Sequence, residues 1–151
     1  AKRWPLERYA QAANEISARL PQPAEWLFFG APGEKAMGET LSAQVTAAHR
    51  NLVGRTTLAE LIAELRTCDL LLTNDTGTMH LAAALGVPTV SIFGSTEPSL
   101  TGPVGDLHRV LRHHVPCSPC FKRECPFGHY DCMTGMSVEK VVSAVVKALL
   151  A

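Results

Sequence analysis

Apolar positions along this chain follow two alternating rhythms, one near 3.6 residues and one of short unbroken runs. Leu6, Tyr9, Ala13, Ile16 and Leu20 stand at helical spacing behind Pro5, and Pro21 and Pro23 end the pattern, so a helix is predicted over Pro5 to Leu20. Trp26 to Phe29 is an apolar run closed by Gly30, and Met37, Leu41 and Val45 then mark one helical face. Leu52 and Val53 form a brief strand candidate. Thr57 and Glu60 have the spacing of a capping box, in which hydroxyl and carboxylate each bind a free backbone amide. Leu58, Leu61, Ile62 and Leu65 follow on one face. Leu70 to Thr73 reads as a strand, and Thr78 to Leu85 as a helix stopped by a left-handed Gly86 and by Pro88. Thr89 to Phe93 and His108 to Arg112 read as strands, and Val138 to Leu149 as a helix with Val141, Val142, Val145 and Leu149 inward.

Strands that are apolar on both faces and separated by helices predict an α/β fold. The expected architecture is a Rossmann-like parallel sheet with helices on both faces. At 151 residues and 46% hydrophobic content, one compact domain over 1–151 can bury its own core. Lysine plus arginine number 14 and aspartate plus glutamate 14, which removes the electrostatic reason to expect nonspecific nucleic-acid binding. No apolar run reaches the ~20 residues of a membrane helix. The first residues are Ala-Lys-Arg-Trp rather than Met, which fits a mature chain and a piece of a longer protein equally.

The informative stretch is Thr73 to His80, TNDTGTMH, at the end of the Leu70 strand. Ligands of open parallel sheets bind beyond the carboxyl ends of strands. A helix starting near Thr78 leaves its first amides unpaired, worth about 0.3–1 kcal/mol for a nearby anion. Gly77 lets a ligand approach the backbone, the hydroxyls of Thr76 and Thr78 suit a phosphate, Asp75 is expected to cap the helix, and His80 projects from its first turn. A plain capped helix would use the same residues.

Cys117, Cys120, Cys125 and Cys132 read C-x2-C-x4-C-x6-C beside His113, His114 and His129, a set able to bind zinc, though not spaced as paired CxxC knuckles. Reduced, unliganded thiols in a packed loop are the favoured alternative. Cys68 reads as a small buried apolar group, and Trp4 and Trp26 as packing residues.

Asp75-Thr76-Gly77-Thr78-Met79-His80 with LAAALGVPTVSIFGSTEP behind it, the opening Lys2-Arg3-Trp4-Pro5, and the loop CSPCFKRECPFGHYDCM together resemble glycosyltransferase family 9, the lipopolysaccharide heptosyltransferases. The resemblance implies the C-terminal, donor-binding half of a GT-B fold, with the N-terminal acceptor domain absent from this chain. It implies inverting transfer of heptose from ADP-heptose to the inner core of lipopolysaccharide, with no required cofactor. It also implies a cytoplasmic location, possible peripheral contact with the inner membrane, and no nucleic-acid partner. On these residues it implies that Lys2 stabilises the departing diphosphate. It places Thr76, Gly77 and Thr78 on the phosphate, and has Asp75 order that turn. His80 would reach nucleotide or heptose, and Glu34 the adenosine ribose, although a solvated helix-start carboxylate explains Glu34 as well. Ser95 and Thr96 would line the same pocket, or simply form a turn. The general base would be an aspartate outside this chain, so 1–151 alone is expected not to transfer sugar. The rival readings are a noncatalytic nucleotide- or zinc-binding module and a family relative using another nucleotide sugar.

Overall fold

The computed structural model describes residues 3–94, 96–102, 107–122 and 124–150. Helices and parallel strands alternate: α1 (Leu6–Arg19), β1 (Trp26–Phe28), a 3-10 turn (Pro32–Glu34), α2 (Lys35–Gln44), β2 (His49–Asn51), α3 (Leu58–Arg66) and β3 (Leu71–Asn74). Then follow α4 (Gly77–Ala84), β4 (Thr89–Phe93), α5 (Pro98–Thr101), β5 (His108–Arg112), α6 (Asp131–Thr134) and α7 (Val138–Leu150). Every strand pairing is parallel, with β1 beside β2 and β3–β4–β5 in a second group. The expected parallel sheet is therefore present in two parts, with a gap between β1 and β3.

Alternation along β3 and β4 builds a core on each face of the three-stranded part. Val90 and Ile92, wholly buried, join Trp4, Ala12, Ile16, Val141, Val142 and Val145 beneath α1 and α7. Leu71 points the other way, to Leu65 of α3 and Ala82 of α4. A third cluster sets Ala10 and Ala13 of α1 against Phe28, Val45 and Val53. Helix α1 thus packs on both parts of the sheet. Each fully buried Val or Ile contributes about 1.5–3 kcal/mol of transfer free energy.

Several expectations need correction. The second strand is not Leu52–Val53 but the polar His49–Asn51, paired in register with Trp26–Phe28. Its pairing is set by the neighbouring strand and by side-chain ties, His49 to Ser42 Oγ at 2.7 Å and Arg50 to Glu64 at 3.0 Å, rather than by apolar content. Leu58 does not face inward with Leu65, because it is the first residue after the Thr57 cap and stays 68% exposed. The capping box itself is formed, with Thr57 N–H donating to Glu60 at 2.9 Å and Glu60 N–H to Thr57 at 3.1 Å. Gly86 takes the left-handed conformation, φ +75°, that ends α4. Trp4 is a packing residue, 2% exposed, its indole N–H donating to the Met136 carbonyl at 3.0 Å. No helix among the described residues is long and apolar enough to cross a membrane.

Candidate functional site

A cleft of about 720 Å³ runs between β1 and β3 and out past their carboxyl ends. One wall is the turn after β3. Thr76, not Asp75, caps α4: it is extended (φ −143°, ψ 168°), and its hydroxyl accepts from the Met79 amide at 3.4 Å. Asp75 is drawn inward instead, where its carboxylate accepts from the Thr96 hydroxyl at 2.7 Å with both residues 6% exposed. A carboxylate so placed holds the β3 turn to the turn after β4, and leaves the capping position to the next residue.

Helix α4 has no acid in its first turn, so its partial positive charge faces the cleft without a carboxylate of its own. Gly77 opens that face: a Cβ there would meet nothing within 4 Å, so no packing among the described residues calls for glycine. The open space lies where an anion could meet the first amides of the helix.

The opposite wall is the 3-10 turn. Glu34 accepts from the Ala31 amide at 2.8 Å through one oxygen and from Arg3 at 2.8 Å through the other, while Arg3 also donates to Met37 Sδ at 3.1 Å. A ligand hydroxyl that used Glu34 would share a carboxylate already committed to both. The pair is part-exposed, Arg3 60% and Glu34 31%, so it contributes only about 0.2–1 kcal/mol and can be exchanged for a ligand.

Glu34, Asp75, Thr76, Gly77 and Thr78 therefore line one cleft. His80 does not join them: it is exposed on α4, while its neighbour Met79 is the residue that turns inward. Lys2 and Ser95 lie outside the described residues. Thr96 is buried against Asp75 rather than lining the cleft.

Sequence reasoning overlooked two residues. Arg3, inside the quoted Lys-Arg-Trp-Pro motif, is the cation on the cleft lining among the described residues. Asn74, the polar residue closing an apolar strand, accepts through one oxygen from the Tyr9 phenol at 2.8 Å and from the Trp4 amide at 3.1 Å. That amide oxygen anchors the start of the chain to the end of β3. Burial pushes the Tyr9 phenol far above its ordinary pKa, so it stays a donor.

The four loop cysteines meet elsewhere, around a small enclosed cavity of about 10 Å³ shared with His129. The His129 ring stands 4.0 Å from Cys117 Sγ and 3.9 Å from Cys125 Sγ. The Tyr130 amide donates to Cys125 Sγ at 3.4 Å, which lowers that thiol's pKa, while burial raises those of Cys132 and Cys68. All five cysteines are free thiols, and among the described residues no group of three or more His, Cys, Asp or Glu is arranged to hold a metal ion.

Residues 1–131 match the family described as "Glycosyltransferase family 9 (heptosyltransferase)". The chain is 33% identical over 97% of its length to a Campylobacter jejuni protein named lipooligosaccharide heptosyltransferase 2, covering 47% of that protein. It is 31% identical over 99% of its length to the Escherichia coli lipopolysaccharide heptosyltransferase 2, covering 43% of it. Among solved structures, that of E. coli ADP-heptose LPS heptosyltransferase II superposes with a TM-score of 0.82 at 27% identity over 99% of this chain and 43% of that one. A glycosyl transferase family 9 structure from Veillonella parvula gives 0.80 at 32% identity over 99% of this chain and 42% of that one. The chain thus spans less than half the length of these relatives. By its sequence over residues 1–131 and by its fold, the chain belongs to glycosyltransferase family 9.

Proposed function

We propose that this chain is the donor-binding part of an inverting glycosyltransferase that moves heptose from ADP-heptose to the inner core of lipopolysaccharide. The observation that carries the reading is the start of α4: a helix N-terminus with no acid in its first turn, capped by Thr76, opened by Gly77 and set at the carboxyl end of β3 in a large cleft. Three features suit a nucleoside diphosphate there, namely the amides of Gly77 and Thr78, the hydroxyls of Thr76 and Thr78, and Arg3. The names of the relatives support heptose as the sugar.

In the transfer, the bond between the heptose anomeric carbon and the diphosphate oxygen breaks, and its electron pair leaves on ADP. The acceptor hydroxyl attacks the opposite face and gives its proton to a base, an aspartate of the other domain. The negative charge that grows on the diphosphate is met by donors already fixed in place, which is where such a site lowers the barrier. Lys2 is the stabilising cation, and Glu34 exchanges Arg3 for a ribose hydroxyl. His80 reaches only a portion of the donor that extends beyond the cleft lining. The enzyme works in the cytoplasm at the inner face of the membrane, where nucleotide sugar and acceptor meet.

Calorimetric titration of ADP into the folded chain tests this. Thr76→Ala and Lys2→Ala each weaken ADP binding about tenfold, the loss of one hydrogen bond to a charged group. Unchanged affinity in both folded variants would overturn the placement. Heptose transfer is expected of the full-length protein and not of 1–151.

A further inference from the structure

Between β5 and α6 the chain forms no helix or strand among the described residues, yet it brings four thiols to one place. Cys117, Cys120, Cys125 and Cys132 line the cavity of about 10 Å³ together with His129, room for one particle the size of a water or a metal ion.

Two of these sulfurs are met by N–H groups, which favour a thiolate over a thiol. The chain turns sharply after Cys125 and Pro126, with Gly128 left-handed at φ +74° and its amide donating to the Cys125 carbonyl at 3.1 Å. That turn carries the Tyr130 amide to Cys125 Sγ at 3.4 Å, and the amides of Phe127, His129 and Gly128 add to its effect. His129 serves Cys117. Its Nδ1 accepts from the Asp131 amide at 3.1 Å, which assigns the ring proton to Nε2, and that atom stands 4.0 Å from Cys117 Sγ. An imidazole tied in this way is a donor to sulfur rather than a ligand to a metal. Donors of that kind orient the sulfurs of a metal site from outside it.

Cys132 shows what the set calls for. It is 9% exposed, and burial first, then the neighbouring Cys120, Cys117 and Cys125, oppose its ionisation. Four sulfurs around one cavity become thiolates together only with a cation among them. A set of four soft sulfur ligands selects a tetrahedral, thiophilic ion, and zinc is the one without redox chemistry. As the loop stands, no three of these groups converge on one point. Zinc–sulfur bonds of about 2.3 Å therefore draw the sulfurs inward, a movement open to a segment held in no helix or strand.

We propose that Cys117, Cys120, Cys125 and Cys132 form a structural zinc site that closes the loop between β5 and α6 around one ion. Each thiol gives its proton to solvent and one bond to zinc, so the ion keeps no open position for a substrate. The site supports the turn after β4. Ser118 donates to the Gly94 carbonyl, Cys132 Sγ lies 3.0 Å from where a Gly94 Cβ would stand, and Arg112 joins Ser118 at 3.3 Å to Glu97 at 3.0 Å. Just past Gly94, Thr96 holds Asp75. Closing the loop thus steadies, from behind, the turn that follows β3. The inference rests on the loop and not on the donor reading.

Metal analysis of the full-length protein, purified under reducing conditions and dialysed, tests it. One zinc per chain is expected, and cobalt in its place gives the sulfur-to-metal charge-transfer band and visible absorption of a tetrahedral thiolate site. Cys125→Ser and Cys132→Ser each weaken zinc binding at least about 100-fold, more than the loss of an outer donor costs. Cys68→Ser, outside the loop, leaves it unchanged. Reduced, folded protein that keeps no zinc and shows no cobalt spectrum would overturn the proposal. So would Cys68→Ser matching the loop variants, or a disulfide between loop cysteines, trapped directly from cells, that blocks metal uptake. Should the serine variants not fold, the wild-type protein decides alone. With a chelator present iodoacetamide reaches the loop thiols, Cys125 first, and added zinc slows all four at least about tenfold while Cys68 reacts as before. Equal labelling with and without zinc rules the site out.

Discussion

The β3–β5 part and the β1–β2 part of this molecule are built on opposite plans. Every residue of β4 is buried, and Val90 and Ile92 on one of its faces join the core beneath α1 and α7. No residue of β2 is buried; its middle residue Arg50 is exposed and ion-paired to Glu25 and Glu64. The first part is held by burial, which needs no partner outside it. The second is held by register against β1 and by the reach of α1 and α2, with exposed ion pairs that add little. Closeness of strands in one fold therefore says nothing about how firmly each is held.

The largest test of this contrast is a pair of truncations. Ile92→Ala, in the fully buried face of β4, lowers unfolding free energy by about 2–5 kcal/mol in urea, whereas Arg50→Ala costs under about 1 kcal/mol. Comparable losses would break the distinction. A smaller effect sharpens it from the packing side. Gly38 of α2 sits where a Cβ would come within 2.7 Å of Val53 Cβ and Asn51 Oδ1, so Gly38→Ala crowds the β1–β2 part and costs about 1–3 kcal/mol in the same assay. No loss would show that α2 shifts freely, and that this part is looser than the contacts imply. The smallest effect is chemical. At neutral pH, iodoacetamide followed by mass spectrometry labels Cys125 first, because the Tyr130 amide favours its thiolate, and Cys132 and Cys68 later, because burial raises both. Equal rates at the three would mean that the loop does not hold its amides on Cys125.

The same contrast decides what could be read from the sequence. Thr89 to Phe93 and the valines of α7 announce themselves because burial on a regular period leaves an apolar pattern. His49–Asn51 leaves none, since an edge strand paired to one neighbour needs no apolar residues, and the eye moves to Leu52 and Val53 beside it. The turn after β3 is legible as a motif, yet the sequence puts the cap one residue early: Asp and Thr both cap well, and only the long-range bond to Thr96 shows that Asp75 is used elsewhere. Arg3 and Asn74 depend on contacts 31 and 70 residues distant, to Glu34 and Trp4, which local spacing does not encode.

Asn74 also has a mechanical meaning. Its side chain holds the Trp4 amide, the Trp4 indole holds the Met136 carbonyl, and Arg8 grips the same carbonyl at 2.9 Å. Three stretches far apart in the chain are lashed at one joint beside the turn after β3. Like the node of a truss, the joint makes any load placed on the end of β3 fall at once on the start of the chain and on the segment leading into the last helix.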